Sequence, residues 1–409
     1  MKEIRIQIQK RKLPYSIPHY SLTGDLLAFL RCGLQYRYYN RGSLPPSRPV
    51  QFWFGEFMHG VMDEAYLRWK HDGQAKRFPW DWKSEIRPIE LTVNKRLETR
   101  QITTSSDVFC PYPSDFKEKG RCEDEKHSEH KRIASKRAEE AINTWGKHLF
   151  PLIEEASVRL KGIREMPKNY KYRCDYYGLT GVADVISSVK LESTQSAELS
   201  ENLVLKYLHE NRKIREIIDT LGSKEYEVIV DYKAMKRPSK DNPLWSHHEW
   251  QILTYAWLRS QQPQSKPVVA GILFYLNELV PSVDEIEELK EEIINGRTDI
   301  LPQHLDRERI LSWEKGEDGK PPLLSQHFRE QRSIRIIPVT EDEISRALKE
   351  FDNVVGEIEN CVKEEMCGKS IPEVWKPPER ERRDEKTCTA CDFKTFCPQP
   401  ARKYFPTPP

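Results

Sequence analysis

The segment VIVDYK ends an apolar run with an acidic and a basic residue two positions apart, Asp231 and Lys233. Side chains on a β-strand alternate between its faces, so these two project from the same side. There the carboxylate can hold a divalent cation, and the ammonium can orient or deprotonate a water molecule and offset charge on a phosphorane. The pair suits phosphodiester cleavage, although by itself an ordinary ion pair at the solvent edge is the simpler interpretation.

Three further segments strengthen the catalytic interpretation. Asp184 lies within the apolar segment GVADVI, where a buried carboxylate is costly unless it is paired or binds a cation. Gln251 and Tyr255 are four residues apart in a helical pattern, so they share one helix face. His59, in FGEFMHGVMDEAY, would supply an imidazole as a third ligand, but a lone helical histidine is more often a packed or surface residue.

A second group of candidate ligands is the C-terminal run Cys388-x2-Cys391-x5-Cys397. Three cysteines at this spacing form part of a metal or cluster site that needs a fourth ligand. Clustered cysteines in a chain without an export signal more often bind metal than form disulfides. Spacing alone does not select the fourth ligand, and zinc stays an alternative to an iron–sulfur cluster. The other six cysteines are Cys32, Cys110, Cys122, Cys174, Cys361 and Cys367.

The composition limits the classes of protein to consider. Of the 409 residues, 37% are hydrophobic and 10% aromatic, which is ample for a packed core in two or three domains, or in one enzyme core with insertions. The 66 basic and 64 acidic residues nearly cancel, so any basic surface must be local. The longest apolar run, 268–276, is far shorter than the roughly 20 residues that span a bilayer, and the start MKEIRIQIQKRK lacks an apolar export segment. We therefore expect a cytoplasmic protein without a membrane span.

Hydrophobic periodicity predicts the elements that must position the candidate residues. A helix is expected to begin at Ser21 or Thr23, and a long helix covers 131–161. Two strands are expected on either side of a turn at Gly178. Helix, three strands, helix and strand in this order indicate a mixed α/β core. The two strands are 170–177 and 180–188, further helices are expected at 56–70, 203–221, 248–260 and 341–365, and further strands at 226–230, 268–276 and 333–339.

Other segments add little to the chemistry. The stretches 97–130, 191–224 and 288–330 are highly polar, and we expect them to be solvated insertions. The run Gly368-Lys369-Ser370 resembles the end of a phosphate-binding loop, but Lys363 stands where the earlier glycine is required. The chain is therefore not expected to be a helicase or an ATPase by itself.

Three weaker patterns carry less weight. The basic residues Lys236, Arg237 and Lys240 either contact phosphates or form a solvated turn. The aromatic run 52–54 either stacks on bases or packs in the core, and core packing is favoured. A small zinc site is a remote third pattern, because its spacing fits no common motif. Its residues would be Cys110, Cys122, His127 and His130.

Taken together, the first group of residues resembles the PD-(D/E)XK nuclease superfamily, in particular its RecB-like branch. Four motifs match in order, FGEFMHG, GVADVI, VIVDYK and QILTY. The resemblance implies a restriction-endonuclease-like α/β core with a mixed central sheet flanked by helices. It further implies that Lys233 is catalytic and that Gln251 and Tyr255 organise the site and the nucleic-acid backbone. The implied ligands of Mg²⁺ or Mn²⁺ are His59, Asp184, Asp231 and the backbone carbonyl of Tyr232.

The N-terminal segment SLTGDLLAFLRCGLQYRYY resembles the corresponding element of the iron–sulfur RecB-like nucleases, although Gly33 stands where that pattern has proline. The branch includes the CRISPR-associated iron–sulfur exonucleases and the nuclease halves of helicase–nuclease complexes. The resemblance implies a [4Fe–4S] cluster that closes a loop of about 356 residues, and closure entropy grows only slowly with loop length. A structural staple joining the chain ends is therefore expected. Its implied ligands are Cys32, Cys388, Cys391 and Cys397.

The resemblance divides the chain into an N-terminal helical element with the first cluster ligand (1–45), a nuclease core with insertions at 97–130 and 191–224 (46–280), an additional α/β segment (281–375) and a C-terminal cysteine segment (376–409). It implies a cation-dependent DNA exonuclease that acts on single-stranded ends in repair or antiviral defence. One alternative is a partner subunit that trims DNA only beside a separate helicase or integrase. The other alternative is a catalytically silent, DNA-binding scaffold subunit of a helicase or CRISPR-type complex. Retention of all the candidate catalytic residues argues against that alternative.

Overall fold

A computed structural model describes residues 17–41, 50–72, 77–112, 130–170, 174–190, 201–316, 320–379, 388–389, 391–394 and 397–398. Six strands form one mixed sheet in the order β1-β3-β4-β5-β6, and β2 pairs with β3 outside this path. The β3–β4 and β5–β6 pairs are antiparallel, whereas β1–β3 and β4–β5 are parallel. The strands are β1 (His19–Ser21), β2 (Ile153–Glu165), β3 (Tyr176–Lys190), β4 (Glu225–Lys233), β5 (Val268–Tyr275) and β6 (Ile334–Pro338).

Helices flank the sheet, so the predicted mixed α/β class with a restriction-endonuclease-like core is confirmed. The helices are α1 (Leu27–Arg31), α2 (Gly33–Arg41), α3 (Val50–His71), α4 (Arg87–Thr99), α5 (Ile133–Ala141), α6 (Leu203–Glu210), α7 (Arg212–Thr220), α8 (Pro243–Ser260), α9 (Val283–Ile294), α10 (His304–Ser312), α11 (Gln326–Ser333), α12 (Glu341–Met366) and α13 (Ile371–Val374). Within the described ranges no helix is long and apolar enough to cross a membrane.

The chain divides into two compact units. Unit 1 takes its described residues from 1–44, 161–181 and 348–409, and unit 2 takes its described residues from 45–160 and 182–347. The strands β2 and β3 each cross from one unit into the other along the chain. Every candidate catalytic residue belongs to unit 2, and the four candidate cluster cysteines belong to unit 1.

The core of unit 2 lies between the sheet and helices α3 to α7. Alternate residues of β4, among them Val228, Val230 and Tyr232, join this apolar cluster. The opposite face of the same strand is covered by α8, whose approach to β5 is very close. A Cβ added at Gly271 would lie 2.0 Å from a methyl group of Ile252, so glycine is required there to let α8 pack on the sheet.

Unit 1 is held together by polar pairs between segments that are far apart in sequence. The Tyr20 hydroxyl donates a hydrogen bond to the carboxylate of Glu359 on α12. Arg164, at the end of β2, pairs with Asp352 at 2.7 Å. Arg37 of α2 donates to Glu365 at 2.7 Å. Helix α12 is therefore the element that joins the N-terminal helices to the end of β2.

The expected long helix over 131–161 is wrong in its second half. Helix α5 ends at Ala141, short helical turns continue to Leu152, and the chain then forms β2. In the segment 153–165 only Leu160 is fully buried, and the other positions are exposed or half-buried. The many charged residues of this segment give it weak apolar periodicity, and pairing with β3 determines its conformation.

Two polar stretches expected to be solvated are instead packed. The helix predicted at 203–221 is broken into α6 and α7 at Asn211, whose side chain caps α7, and both helices bury apolar residues in the core of unit 2. Helices α9 to α11, within 288–330 and just before it, form a second apolar cluster around Ile286 and Ile310. Each stretch hides a narrow apolar face behind charged residues on the outer face.

The predicted turn at Gly178 does not form. Residues 176–190 are one continuous strand, and Gly178 pairs with His19 of β1. A Cβ at position 178 would lie 2.3 Å from the His19 ring. The glycine therefore permits a close approach between strands rather than a change of direction.

The predicted helix N-cap at Ser21 is confirmed, since its hydroxyl accepts a hydrogen bond from the amide of Gly24 at 3.1 Å.

Candidate active site

The middle of β3 and the C-terminal end of β4 position the two carboxylates. Val185 pairs with Val230 in the antiparallel ladder, so Asp184 and Asp231 occupy the next pair of positions, where directly opposite side chains share a face. The amide of Tyr232 donates to the Asp184 carboxylate at 2.7 Å. This hydrogen bond fixes the first carboxylate against the backbone that carries the second.

Helix α8 completes a hydrogen-bonded network around Asp231. The Lys233 ammonium lies 2.7 Å from one oxygen of Asp231 and donates to the Gln251 carbonyl at 2.6 Å. The Gln251 amide nitrogen donates to the other oxygen of Asp231 at 2.8 Å and to the Tyr255 hydroxyl at 3.0 Å. One amide side chain thus orients the acid, the base and the phenol together.

His59 reaches the site from α3, on the other side of β4. Its Nδ1 lies 3.0 Å from the Asp184 carboxylate, and its ring meets that of Tyr232 edge-on at 6.0 Å. Tyr232 points into the core between Asp231 and Lys233, which point the other way. The structure therefore brings together all seven predicted site residues, but as two hydrogen-bonded groups, one around Asp184 and one around Asp231.

Burial and charge set the ionisation of these groups. Burial raises the pKa of Asp231, an effect that the Lys233 ammonium opposes and the Asp184 carboxylate adds to. Burial lowers the pKa of His59, but the Asp184 carboxylate outweighs it and the pKa rises to about 9. Burial is also the main reason that the pKa of Tyr255 is raised. The two carboxylates are thus compensated by an imidazolium and an ammonium.

The donor types fit a hard divalent cation. Two carboxylates, one backbone carbonyl and one imidazole are ligands that Mg²⁺ or Mn²⁺ accepts. One oxygen of Asp231 is buried without a well-oriented hydrogen bond, despite the nearby ammonium of Lys233. Among the described residues, however, no group of three or more His, Cys, Asp or Glu side chains is arranged to hold a metal ion. The donor types of a cation site are present, but both carboxylates already have partners, Asp184 in His59 and Asp231 in Lys233.

Sequence reasoning missed Asp63 and Ser157. Asp63 lies one turn after His59 on α3, and its carboxylate is 2.5 Å from the Ser157 hydroxyl, which donates to it. Burial raises the pKa of Asp63, and the Asp184 carboxylate adds to the rise. Ser157 has a φ of 52°, a left-handed conformation that is uncommon outside glycine. The spacing of His59 and Asp63, four apart on a helix, was the available signal for the first residue.

An open cleft of about 520 Å³ begins at Asp184 and His59 and runs between α3 and α4. Asp63 and Ser157 line it near the carboxylate, and Arg96 and Arg100 line its α4 side. The cleft opens the Asp184 side of the site to solvent.

Two of the weaker sequence patterns have structural roles. Lys236 pairs with Glu288 and Glu292 at 2.5 and 2.8 Å. Arg237 is buried and binds Asp299 together with backbone carbonyls. Neither is available for a phosphate. In the suggested zinc set, Cys110 and His130 lie 3.1 Å apart, whereas Cys122 and His127 lie outside the described residues.

The candidate cluster cysteines approach one another within unit 1. Gln35 joins two of them, since its amide proton donates to Cys32 and its side chain donates to Cys391, each at 3.5 Å. Burial raises the pKa of both thiols, and the pKa of Cys32 is also raised by the nearby Cys391 and Cys397. Cys388 lies one turn before Cys391, whose amide donates to its carbonyl at 3.3 Å. No disulfide joins any of these cysteines.

Aromatic packing fixes the C-terminal cysteine segment on α2. Phe393 is buried between Tyr38 and Tyr39, with ring centroids 4.9 and 5.0 Å away. The Tyr39 hydroxyl donates to Asp392 at 2.8 Å. These contacts place the residues on either side of Cys391 against the helix that follows Cys32.

Comparison with known families places this site in its class. The family model of the PD-(D/E)XK nuclease superfamily matches residues 24–398, most of the chain. The chain therefore belongs to the PD-(D/E)XK nuclease superfamily, and the resemblance seen in its four motifs is confirmed at that level. A search of the curated proteins found no match.

Proposed function

We propose that the protein is a divalent-cation-dependent DNA nuclease of the RecB-like branch, an exonuclease that degrades single-stranded ends. The observation that carries this proposal is the network in which Gln251 holds Asp231 and Lys233 together beside Asp184. Membership of a nuclease superfamily supports the reaction class. The preference for single-stranded ends is supported by the sequence resemblance of the motifs around His59 and Cys32.

Each side chain of the site has an assigned role in the proposal. Lys233 orients the attacking water and neutralises charge that develops on the phosphate. Gln251 is a positioning residue, because it holds the Lys233 ammonium through one end of its amide and Asp231 through the other. Tyr255 fixes the orientation of that amide by accepting its second N–H. This arrangement keeps the Lys233 ammonium 2.7 Å from the Asp231 carboxylate.

The proposed cation ligands are Asp184, Asp231, His59 and the Tyr232 carbonyl. A bound Mg²⁺ or Mn²⁺ would supply Lewis-acid chemistry, which favours deprotonation of water and offsets phosphate charge. Only a neutral imidazole binds a cation, so His59 would hold the ion in its deprotonated form. Asp63 is hydrogen-bonded to Ser157 and adds a further acidic side chain one helical turn from His59.

We also propose that Cys32, Cys388, Cys391 and Cys397 bind a structural [4Fe–4S] cluster in unit 1. Proximity of three of the thiols in the folded chain supports this. The thiols have to lose their protons on binding, which couples cluster assembly to folding. The cluster would then stabilise the contact of the C-terminal segment with α2. The division of the chain at 45, 280 and 375, and a helicase or integrase partner, belong to the same proposal.

The test of the nuclease proposal uses linear and circular single-stranded DNA and a duplex of the same sequence, incubated with anaerobically purified protein. With Mg²⁺ or Mn²⁺ we expect the linear single strand to be degraded from an end and the circle to persist. EDTA should abolish the reaction. Cleavage of the circle would contradict the exonuclease assignment, and no cleavage of any substrate would contradict the nuclease assignment. Iron and sulfide contents of about four per chain are expected in the same preparation.

A further inference from the structure

The cleft that begins at Asp184 and His59 has a wall with no role in the proposed chemistry. Beyond His59 and Asp63, it is lined by the exposed ring of Phe52, by the backbone of Gly55, and by Arg96 and Arg100. An aromatic ring and two guanidinium groups beside a phosphodiester-cleaving site form a surface of a recognisable chemical type. Such groups contact the bases and the phosphates of a nucleic-acid strand.

Helix α3 forms one wall of the cleft. Phe52, Glu56, His59 and Asp63 follow one another at intervals of four, three and four residues, which places them along a single helix face. Phe52 is 44% exposed, whereas the neighbouring Trp53 is fully buried. Trp53 therefore fulfils the core-packing role expected for the aromatic run, and Phe52 does not.

The opposite wall carries positive charge from α4. The side chains of Arg96 and Arg100 are 62% and 58% exposed and pair with Glu64 and Glu56 at 2.8 and 3.0 Å. Exposed ion pairs of this kind contribute little to stability. A phosphate can therefore replace either carboxylate at small cost, and both guanidinium groups can turn toward a strand in the cleft.

We propose that a single strand of DNA lies along this cleft, with one base stacked on Phe52 and its phosphates contacted by Arg96 and Arg100. His59 lies seven positions after Phe52, a rise of about 10 Å along the helix. At 3.4 Å per stacked nucleotide this corresponds to about three nucleotides. Phe52 is therefore a positioning residue for a base about three nucleotides from the scissile phosphate.

The wall favours a single strand over a duplex. The bases of a duplex are paired and stacked on one another, so a ring at the side of a cleft cannot stack on them, whereas single-stranded bases present a free face. This inference rests on the proposed function and extends it, because it names the side chains that recognise the substrate and the direction in which the strand leaves the carboxylates.

Gly55 provides a way to block the cleft without disturbing the core. A Cβ added at this position meets no other heavy atom within 4 Å, and replacement of an interior helix glycine does not reduce helix stability. A long side chain at position 55 would therefore project into the cleft. By contrast, a Cβ at Gly60 would meet Val93 at 2.8 Å, so that glycine is required for the packing of α3 against α4.

The experiment measures binding of fluorescein-labelled oligothymidylate of 15 nucleotides, and of a 15-base-pair duplex, by anisotropy in EDTA. Phe52→Ala and Gly55→Met should each weaken binding of the single strand roughly tenfold and leave duplex binding nearly unchanged. The double variant Arg96→Ala/Arg100→Ala should reduce the salt dependence of single-strand binding by about 0.7 per lost phosphate contact. Matched controls are Leu67→Ala, an exposed apolar residue of α3 outside this cleft, and Arg212→Ala, an exposed arginine paired with Glu216.

A substrate scan locates the stacked base. Oligonucleotides with one abasic position are cleaved by the parent and by Phe52→Ala in Mg²⁺. An abasic site about three nucleotides from the scissile phosphate should slow the parent roughly tenfold and should not slow Phe52→Ala further. Parent-like binding by Phe52→Ala and Gly55→Met, or equal losses on single strand and duplex, would overturn the inference. A parent protein that binds the single strand without cleaving it would instead contradict the proposed nuclease function.

Discussion

The carboxylate network and the cysteine group are assembled in opposite ways. In the network, Asp231, Lys233 and Gln251 lie within 21 consecutive residues, a strand followed by the helix that covers it, and their polar atoms approach to 2.6–2.8 Å. In the cysteine group, Cys32 and Cys391 come from opposite ends of the chain and are joined by a single glutamine at 3.5 Å. The first is built from local structure, and the second depends on long-range packing.

The two regions also differ in how their polar groups are compensated. The carboxylates already have compensating charge, so a cation would exchange with an ammonium and an imidazolium rather than fill a void. The thiols of Cys32 and Cys391 have a raised pKa because of burial, and neutral thiols form weak hydrogen bonds. We therefore expect loss of the network to abolish cleavage whatever its effect on folding, and loss of the cysteine group to act on stability first.

The largest expected effect is on cleavage by Asp231→Asn. The amide keeps the volume of the side chain and one acceptor for Gln251, but it removes the negative charge that the proposed cation requires. We expect cleavage of single-stranded DNA in Mg²⁺ to fall at least about 100-fold, with the far-ultraviolet circular dichroism unchanged. Asp219→Asn, on the exposed face of α7, should cleave like the parent. Residual activity above one tenth of the parent would remove Asp231 from the active site.

The second prediction tests the other region through Cys391→Ser. Serine is nearly isosteric but does not replace a thiolate as a cluster ligand, so iron should fall from about four to below one per chain. Because cluster binding is coupled to folding, the melting temperature should fall by roughly 5–10 °C.

Cys367→Ser provides the control for Cys391→Ser, because Cys367 is exposed. It should keep both iron and stability. If Cys391→Ser melts like the parent but no longer cleaves DNA, the cysteine group acts in the chemistry or in DNA binding, and its structural role is wrong.

The contrast between the regions also explains what the sequence could predict. Alternation along a strand and a four-residue helical interval are local rules, and they placed Asp231, Lys233, Gln251 and Tyr255 correctly on facing elements. The contact between Cys32 and Cys391 follows no local rule and was accessible only through family resemblance. Asp63 follows His59 by four residues on one helix, but that interval alone does not distinguish a site residue from a surface carboxylate.

The errors in the fold have a similar cause. Charged residues at 153–161 suit either a helix or a strand, and only pairing with β3 makes the segment a strand. Glycine commonly permits a turn, whereas the role of Gly178 is the close approach of His19. In both places a partner strand from elsewhere in the chain decides the conformation, and such a partner cannot be identified from local pattern.

The third prediction tests whether the network also contributes to folding. Lys233→Met should lose cleavage, and because the Asp231 side chain is only 4% exposed, removing its partner should lower the free energy of unfolding by up to about 3 kcal/mol in EDTA. The double variant Asp231→Asn/Lys233→Met should regain much of this loss, since it leaves no unpaired charge. Urea unfolding of the four proteins measures the coupling. Equal stability of Lys233→Met and the parent would show that solvent already screens the pair.

The fourth prediction concerns the packing that positions Gln251. Gly271→Ala should push Ile252, the next residue of α8, away from β5, and we expect a loss of about 1–3 kcal/mol in unfolding free energy. Cleavage should fall as well, because Gln251 moves with the helix. Ile252→Val in the same chain should restore part of both. Gly222→Ala, where an added Cβ meets no other heavy atom within 4 Å, is the control and should be neutral in stability and activity.

The smallest expected effect is on the stability of the fold at low pH, and it involves a histidine outside the candidate active site. His148 is buried, its Nδ1 accepts the amide proton of Leu203 at 3.2 Å, and burial, with a contribution from Lys147, lowers its pKa to about 4. An unfolded histidine binds its proton near pH 6.5, so between pH 6.5 and 4 the unfolded chain binds more protons than the folded chain. This contribution to stability is therefore present above pH 6.5 and is lost as the pH falls.

His148→Asn keeps an acceptor without this titration. Between pH 7 and 5 the free energy of unfolding of this variant should fall by about 1 kcal/mol less than that of the parent after solvent screening. His71→Asn, with a side chain 91% exposed, should follow the parent, and a pH dependence of unfolding identical in His148→Asn and the parent would assign the acid sensitivity of unit 2 to other groups.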